Sequence, residues 1–335
     1  MPKVVVLATG GTIASVSRGE GGAVAERTAA QLLADLTPDD VDVDAKDVMN
    51  LGSYLMTFAS MRQLAEAVHK ELERDDVDGV VITHGTDTIE ETGILLEAVH
   101  RSPKPVVITG AQRPADHPAP DGPDNLARAV QVAASRSARE RGVLLVFGDD
   151  IFTLPGTRKF HTIAAAPFAT AGAGPAGHLV NGVVTFLHTP ERADPLPMPT
   201  EAFDAVRVDM VACYPGADAA LCRAAEAAGA QGVVLLGTGS GNGNHALVSW
   251  VEEAVARGVV VALSTRVAEG PVVPLYGNGG AVSLLDAGAV LVEDMPAAQA
   301  RVLMALLLSR NEEVTADIFR RGSRDAPAAE KQVHN

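Results

Sequence analysis

The sequence predicts an α/β fold. We expect a larger N-terminal domain, built on a parallel sheet with helices on both faces, and a smaller C-terminal α/β domain. Strand-like and helix-like segments alternate along the first half, which is typical of a parallel sheet joined by right-handed crossovers. The strand-like segments at 3–8 and 79–83 are unbroken apolar runs, as expected for strands buried on both faces. Ligands of such sheets bind beyond the carboxyl ends of the strands.

The predicted elements follow in order along the chain. Ser60 and Gln63 have the spacing of a capping box, which predicts a helix beginning at Ser60. In the first half we expect strands at 3–8, 41–48, 79–83, 105–109 and 143–147, and helices at 28–36, 60–74, 89–100 and 124–138. In the second half we expect strands at 206–212, 232–237 and 258–264, and helices at 218–229, 246–257, 301–310 and 312–320.

A proline-rich segment divides the two halves. Four prolines lie between Thr189 and Thr200, where they remove backbone donors and favour extended conformations. We therefore predict an N-terminal catalytic domain at 1–189, a linker at 190–205 and a C-terminal domain at 206–335.

Composition excludes several classes of partner. With a net charge of −15 and only 4% aromatic residues, the chain of 335 residues is a poor ligand for nucleic acid or an anionic membrane. Cys213 and Cys222 have no metal-ligand spacing, and no nucleotide-binding glycine motif is present, so we expect neither metal nor cofactor. No export signal and no apolar run of about 20 residues is visible, which predicts a cytoplasmic protein.

Two threonine-bearing segments follow predicted strands and carry the functional signal. In residues 8–15, Gly10 and Gly11 precede Thr12, and these glycines allow a tight turn that presents the hydroxyl. Residues 82–92 place Thr86 and Asp87 just before a helix, whose free amides favour an anion. A threonine nucleophile needs a base and oxyanion donors. Asp87 alone is equally consistent with a helix cap.

These two segments resemble the signature segments of the bacterial-type L-asparaginase and glutaminase-asparaginase family. The resemblance continues through most of the chain, at residues 104–114, 121–126, 158–159, 241–244 and 300–303. It implies an enzyme that hydrolyses L-asparagine to L-aspartate and ammonia through an acyl-enzyme.

The resemblance also implies roles for individual residues. Thr12 would be the nucleophile, and Thr86, Asp87 and Lys159 a second group in which the lysine amine helps to deprotonate water or a hydroxyl. Ser53 and Asp87 would hold the α-carboxylate and α-ammonium of the substrate. The amide end would be lined by Gly11, Gly85, Thr86 and Ala111. Asn244 would reach the site of a neighbouring subunit in a homotetramer, a dimer of dimers.

One part of the family pattern is missing. Many members carry a tyrosine on the loop after the first threonine, supported by a glutamate of the neighbouring subunit. The corresponding loop here, residues 16–27, contains no tyrosine, although Gly19, Gly21 and Gly22 would let it hinge as a lid. Our hypothesis is that Tyr276 or Glu269, from the same or a partner subunit, replaces the relay.

Three alternatives remain open from the sequence. The first is a glutaminase-asparaginase with substantial L-glutamine hydrolysis, since one methylene changes affinity by only about 1–3 kcal/mol. The second is a catalytically weak amino-acid-binding regulatory homologue, which would bind aspartate without turnover. The third, the amidase subunit of a tRNA-dependent amidotransferase, is disfavoured because the chain begins at its first strand and is acidic. Ammonia release from asparagine and glutamine distinguishes these classes.

Overall fold

A computed structural model describes residues 1–18, 22–34, 40–189 and 192–320 of the chain. The strands are β1 Lys3–Gly10, β2 Ser15–Ser17, β3 Ala23–Ala25, β4 Asp42–Leu51, β5 Gly79–Thr83, β6 Val106–Thr109, β7 Val143–Phe147, β8 Asp150–Thr153, β9 Thr157–Lys159, β10 Phe168–Thr170, β11 Gly177–Val180, β12 Val183–Phe186, β13 Val208–Ala212, β14 Gly232–Gly237, β15 Val260–Thr265 and β16 Val290–Leu291. The helices are α1 Ala29–Leu33, α2 Phe58–Leu72, α3 Ile89–Val99, α4 Gly122–Ala134, α5 Glu201–Ala205, α6 Ala220–Ala227, α7 His245–Ala256, α8 Ala281–Asp286, α9 Ala297–Leu308 and α10 Ala316–Phe319.

The predicted α/β architecture is confirmed. The large N-terminal sheet has the strand order β12-β11-β8-β7-β6-β5-β1-β4, and its strands β4, β1, β5, β6 and β7 pair with one another in parallel. A second, smaller sheet in the C-terminal part runs β13-β14-β15-β16 and is parallel throughout. Side chains of β1, β5 and β6 are buried on both sides of the large sheet, which explains their unbroken apolar sequences.

One edge of the large sheet differs from the predicted pattern. Strands β8, β11 and β12 pair antiparallel there, and none of them was predicted. Two short hairpins, β2–β3 and β9–β10, also lie in segments that were interpreted as loops. Each of these strands has only three or four residues, which is too short for a recognisable hydrophobic period.

Several observed helices begin or end at other residues than predicted. α2 begins at Phe58 rather than Ser60, because the Thr57 hydroxyl accepts a hydrogen bond from the Ser60 backbone N–H. The predicted linker contains the short helix α5, and the predicted helix at 312–320 is limited to α10. Residues 35–36 of the predicted first helix, linker residues 190–191 and residues 321–335 lie outside the described residues.

The C-terminal domain packs directly on the N-terminal one. An apolar cluster between them includes Leu95 of α3 and Leu303 of α9, both with no exposed surface. From α9 the buried Gln299 side chain donates to the carbonyls of Leu154 and Thr157, at 2.7 and 2.8 Å. Its oxygen accepts from the Gly156 N–H. Gln299 thereby fixes the turn that leads into β9, the strand that ends at Lys159.

Candidate active site

The candidate site lies at the carboxyl ends of four adjacent strands, β4, β1, β5 and β6. Ser53 follows β4, Thr12 follows β1, Thr86 follows β5 and Ala111 follows β6. Because the strands are parallel neighbours, these side chains meet at one edge of the sheet. The four predicted residues are therefore brought together by strand order, even though they are spread over a hundred positions of the chain.

The two threonine segments touch through glycines. Gly11 adopts φ of 77°, and a Cβ built on it would lie 2.4 Å from the Gly85 nitrogen and 2.5 Å from the Gly85 Cα. No side chain fits in that space. Behind the pair, the buried hydroxyl of Thr9 donates to the carbonyl of Thr83 at 2.9 Å. Gly11 and Gly85 are therefore required for the contact itself.

Ser53 contacts the second segment from its other side. A Cβ on Gly85 would lie 2.5 Å from the Ser53 Oγ, which accepts a hydrogen bond from the Asp87 N–H at 3.2 Å. The Thr88 hydroxyl donates to the Ser53 carbonyl at 2.9 Å. Among the described residues, nothing accepts the proton of the Ser53 hydroxyl, so that proton remains available to a ligand.

Thr86, Asp87 and Lys159 form one hydrogen-bonded group. The Lys159 amine lies 2.9 Å from the Thr86 Oγ1 and 2.7 Å from a carboxylate oxygen of Asp87. The Lys159 side chain is mostly buried, at 16% exposed, whereas that of Asp87 is 54% exposed. Asp87 does not cap α3, since the capping position is Thr88 and no side chain caps that end. Its carboxylate instead points to the lysine and to solvent.

The Thr86 hydroxyl has a second partner that was not predicted. It donates to the Gln112 Oε1 at 3.1 Å. The loop carrying Gln112 is held by Asp121, whose carboxylate accepts from the Gln112 and Arg113 N–H groups at 3.0 and 2.8 Å. Asn125 adds a bond from its side-chain amide to the Gly110 carbonyl. Asp121 and Asn125 belong to segments quoted for the family resemblance, but a single sequence does not show what they hold.

Thr12 has a different environment. It begins a 3₁₀ turn, Thr12–Ala14, directly after Gly11, and is half-buried. Within residues 1–18, 22–34, 40–189 and 192–320, no group lies at hydrogen-bonding distance from its hydroxyl. The segment itself is firmly placed, because the Ser15 hydroxyl donates to the Gly11 carbonyl at 2.8 Å and the Gly11 N–H to Leu51. Thr12 is thus held by backbone hydrogen bonds, and its hydroxyl makes none with the described residues.

Comparison with known proteins identifies the family of the chain. Residues 3–192 match the family model described as asparaginase, N-terminal, and residues 207–318 match the glutaminase/asparaginase C-terminal domain. The chain belongs to the asparaginase family. An L-asparaginase of Bacillus licheniformis is 32% identical over 95% of this chain and 98% of its own length. The L-asparaginase 2 of Escherichia coli is 32% identical over 93% and 90%, and a glutaminase-asparaginase of Pseudomonas aeruginosa is 31% identical over 93% and 88%.

In this asparaginase-family chain, the residues expected to act across a subunit boundary lie in the C-terminal domain. Asn244 caps α7 by accepting from the Leu247 N–H at 3.0 Å, and it donates to the Ala217 carbonyl at 2.8 Å. Tyr276 and Glu269 are exposed in the segment between β15 and α8. Neither makes a described hydrogen bond to the Thr12 segment, and their proposed roles stay predictions.

The loop after Thr12, which was predicted to hinge as a lid, contains a short hairpin in its described part. Strands β2 and β3 pair, with Val16 opposite Val24. The Ser17 N–H and hydroxyl both donate to the Asp116 carboxylate, at 2.9 and 3.2 Å, and the backbone bond lowers the pKa of Asp116. The proposed hinge residues Gly19 and Gly21 lie outside the described residues.

Two buried titratable groups lie beneath the Thr86 group. His84 has no exposed surface, and burial lowers its pKa to about 4, so its ring is neutral at pH 7 and is bonded through Nδ1 to the Gly85 carbonyl. Glu90, in the first turn of α3, is mostly buried. Burial and the neighbouring Glu91 raise its pKa to about 7, while Arg158 and the Lys159 backbone oppose the shift. One oxygen of Glu90 has no hydrogen-bond partner among the described residues.

The described ranges bring no three His, Cys, Asp or Glu side chains together in a way that could hold a metal ion. In the same ranges, none of the helices combines the length and apolar character needed to cross a membrane.

Proposed function

We propose that this chain hydrolyses the side-chain amide of L-asparagine to L-aspartate and ammonia. The observation that carries the proposal is the Thr86 hydroxyl, which lies between the Lys159 amine and Gln112 at the sheet edge where the Thr12 segment meets Gly85. The relatives named L-asparaginase, which match along nearly their whole length, support the same substrate.

In this proposal Thr12 is the nucleophile. Its hydroxyl oxygen bonds to the amide carbon, the carbon–nitrogen bond breaks, and the hydroxyl proton leaves with the nitrogen as ammonia. Water then adds to the resulting ester, and cleavage of the ester bond returns a proton to Thr12 and releases aspartate. The position of Thr12 on a glycine turn, with no competing hydrogen bond in the described residues, supports this role.

The other side chains divide substrate binding and proton transfer. Asp87, half-exposed beside Lys159, offers a counter-ion to the substrate α-ammonium, and the free proton of Ser53 is available to the α-carboxylate. Gly11, Gly85, Thr86 and Ala111 line the amide end. Thr86 and Lys159 exchange a proton with the reacting water or hydroxyl.

We further propose that the active form is a homotetramer, a dimer of dimers, in which Asn244 of one subunit approaches the Thr12 segment of another. Two observations support an additional contributor to the site. The Thr12 hydroxyl lacks a described partner, and Tyr276 is 61% exposed in the single chain. Light scattering of the purified protein and activity measured over a dilution series test the assembly.

A broader activity on L-glutamine is the second candidate. It is favoured by the similarity to the glutaminase-asparaginase of Pseudomonas aeruginosa. A pocket that fits asparagine discriminates against one additional methylene by about 1–3 kcal/mol, so a glutaminase activity roughly 10- to 200-fold lower is compatible with the same site.

The deciding experiment is ammonia release measured side by side with L-asparagine and L-glutamine. We expect release from asparagine, and its loss in Thr12→Ala and Lys159→Met. Lys70→Met is the matched control, because Lys70 is exposed in the last turn of α2 and makes no described hydrogen bond to a site residue. Full activity of Thr12→Ala would contradict the nucleophile assignment, and aspartate binding without any turnover would favour a regulatory homologue.

A further inference from the structure

Gln112 lies between the Thr86 hydroxyl and an exposed segment of the chain. Its Nε2 lies 3.1 Å from the Ala164 carbonyl and 3.3 Å from the Thr162 carbonyl, and its Oε1 lies 3.1 Å from the Thr86 Oγ1. Because carbonyl oxygens only accept hydrogen bonds, the nitrogen must face them, and this fixes the orientation of the amide. The oxygen of Gln112 therefore faces Thr86.

This orientation sets the direction of the whole hydrogen-bond chain. Thr86 has a single hydroxyl proton, and the Gln112 oxygen is able only to accept it. The bond between Lys159 and Thr86, at 2.9 Å, must then be donated by the amine. In this arrangement Lys159 has no access to the Thr86 proton. The hydroxyl has to turn from Gln112 toward the amine before the amine accepts its proton.

The amide of Gln112 has little freedom to relax this constraint. Its backbone N–H donates to Asp121 at 3.0 Å, and its side chain makes the three contacts described above. Satisfied polar networks of this kind favour one arrangement of their protons. Turning the Thr86 hydroxyl costs the bond to Gln112, and this cost opposes the base form of Lys159.

We propose that Gln112 is a positioning residue that holds the Thr86 proton away from Lys159 and thereby controls how readily the amine accepts it. The other charged group that faces this amine is the Asp87 carboxylate, at 2.7 Å, and it is unchanged in the variants below. The inference rests on the proposed function, because Lys159 is taken as the base of that reaction. Gln112 itself is not assigned a contact with the substrate.

Two substitutions change this device in opposite directions. Gln112→Met retains the length of an unbranched side chain but removes both the acceptor and the donors. Gln112→Glu retains the acceptor for Thr86, loses the donors to Thr162 and Ala164, and adds a negative charge that favours the ammonium form of Lys159. We expect the acid limb of the pH profile of kcat/KM for asparagine to move down in the first variant and up in the second, by about one pH unit each. KM at the pH optimum should change less than twofold.

Gln131 provides the matched control. It is exposed in the middle of α4, and Gln131→Met and Gln131→Glu carry the same chemical changes away from the site. Both control variants should keep the wild-type pH profile. Thermal melting of all four variants establishes that they are folded before the profiles are compared.

A second measurement does not need turnover. The chain has six lysines, so ε-¹³C-lysine labelling gives few NMR signals, and that of Lys159 is the one lost in Lys159→Met. Its titration midpoint should move in the same directions in the two Gln112 variants. If the folded Gln112 variants kept the wild-type titration midpoint of Lys159 and the wild-type pH profile, the inference would be overturned. Absence of ammonia release by the wild type would instead overturn the proposed function, while the titration would still test Gln112.

Discussion

The two threonine-bearing strand ends lie side by side, but they differ in how many of their polar interactions are already made. Thr86 is 4% exposed, and its hydroxyl is hydrogen-bonded to both Lys159 and Gln112. The Thr12 hydroxyl is half-buried, and the described residues provide no partner for it. The comparison indicates that the Thr86 half of the site is hydrogen-bonded within the single chain, whereas the described residues leave the Thr12 hydroxyl open to a ligand.

The largest effects should come from removing the two hydroxyls, because both belong to the proposed reaction. We expect Thr12→Val and Thr86→Val each to lower kcat/KM for asparagine by about 10³-fold or more. The variants should differ in stability. Thr86→Val removes two hydrogen bonds and should cost about 1–2 kcal/mol, or about 2–4 °C in Tm, whereas Thr12→Val should remain within about 0.5 kcal/mol of the wild type.

Calorimetry and ammonia assays on the same preparations measure both quantities. Equal melting temperatures for Thr12→Val and Thr86→Val would contradict the conclusion that the Thr86 hydroxyl contributes hydrogen bonds to stability and the Thr12 hydroxyl does not. Retained turnover in Thr86→Val would remove Thr86 from the reaction, and only its structural role would be left.

The next prediction concerns the side chains that would activate the Thr12 hydroxyl. If Tyr276 or Glu269 supplies the missing relay, Tyr276→Phe or Glu269→Gln should lower kcat by about 10²-fold without changing Tm. Tyr214→Phe and Glu252→Gln are matched controls, because both residues are exposed in the C-terminal domain. Wild-type turnover in both Tyr276→Phe and Glu269→Gln would exclude these residues as the relay.

The contact between the halves is tested by two glycines with the same backbone angle. Gly11 has φ of 77° and Gly22 has φ of 78°, but a Cβ on Gly11 would meet Gly85 at 2.4 Å, whereas a Cβ on Gly22 has nothing within 4 Å. Gly22→Ala should therefore cost only the backbone term, about 1 kcal/mol. Gly11→Ala should cost about 3 kcal/mol because the two segments must separate.

Urea unfolding of both glycine variants measures the difference, which should be accompanied by a loss of activity in Gly11→Ala alone. Similar free energies of unfolding for the two variants would show that the segments separate at little cost, and the packed contact would then not be what positions Thr12.

Much of this arrangement is predictable from the sequence, for a specific physical reason. Thr12 and Thr86 follow apolar runs, and parallel strands bring such positions to one sheet edge whatever their separation along the chain. Two features had no comparable signal. Gln112 acts through its amide orientation, which depends on the carbonyls of Thr162 and Ala164, far along the chain. Thr57 and Ser60 both have hydroxyls suited to a helix start, and in the structure Thr57 is the residue that caps α2.

The smallest expected effect concerns the stability lost when the buried Glu90 carboxyl ionises. The carboxyl of Glu90 is mostly buried next to the Lys159 backbone, and burial raises its pKa to about 7. A folded-state pKa above the unfolded value of about 4.3 means that the folded chain holds this proton more tightly. The stability contributed by the protonated carboxyl is complete below the unfolded pKa and is lost as pH rises through about 7.

Glu90→Gln keeps a neutral side chain at every pH and should avoid this loss. We expect the stability of the variant relative to the wild type to rise by about 2–3 kcal/mol between pH 5 and pH 8. Glu252→Gln, exposed on α7, should show no such gain. Urea unfolding at several pH values measures the difference between each variant and the wild type. A pH-independent difference for Glu90→Gln would mean that the carboxyl is hydrated or paired in the folded protein. The carboxyl next to the Thr86 group would then lie in a polar environment.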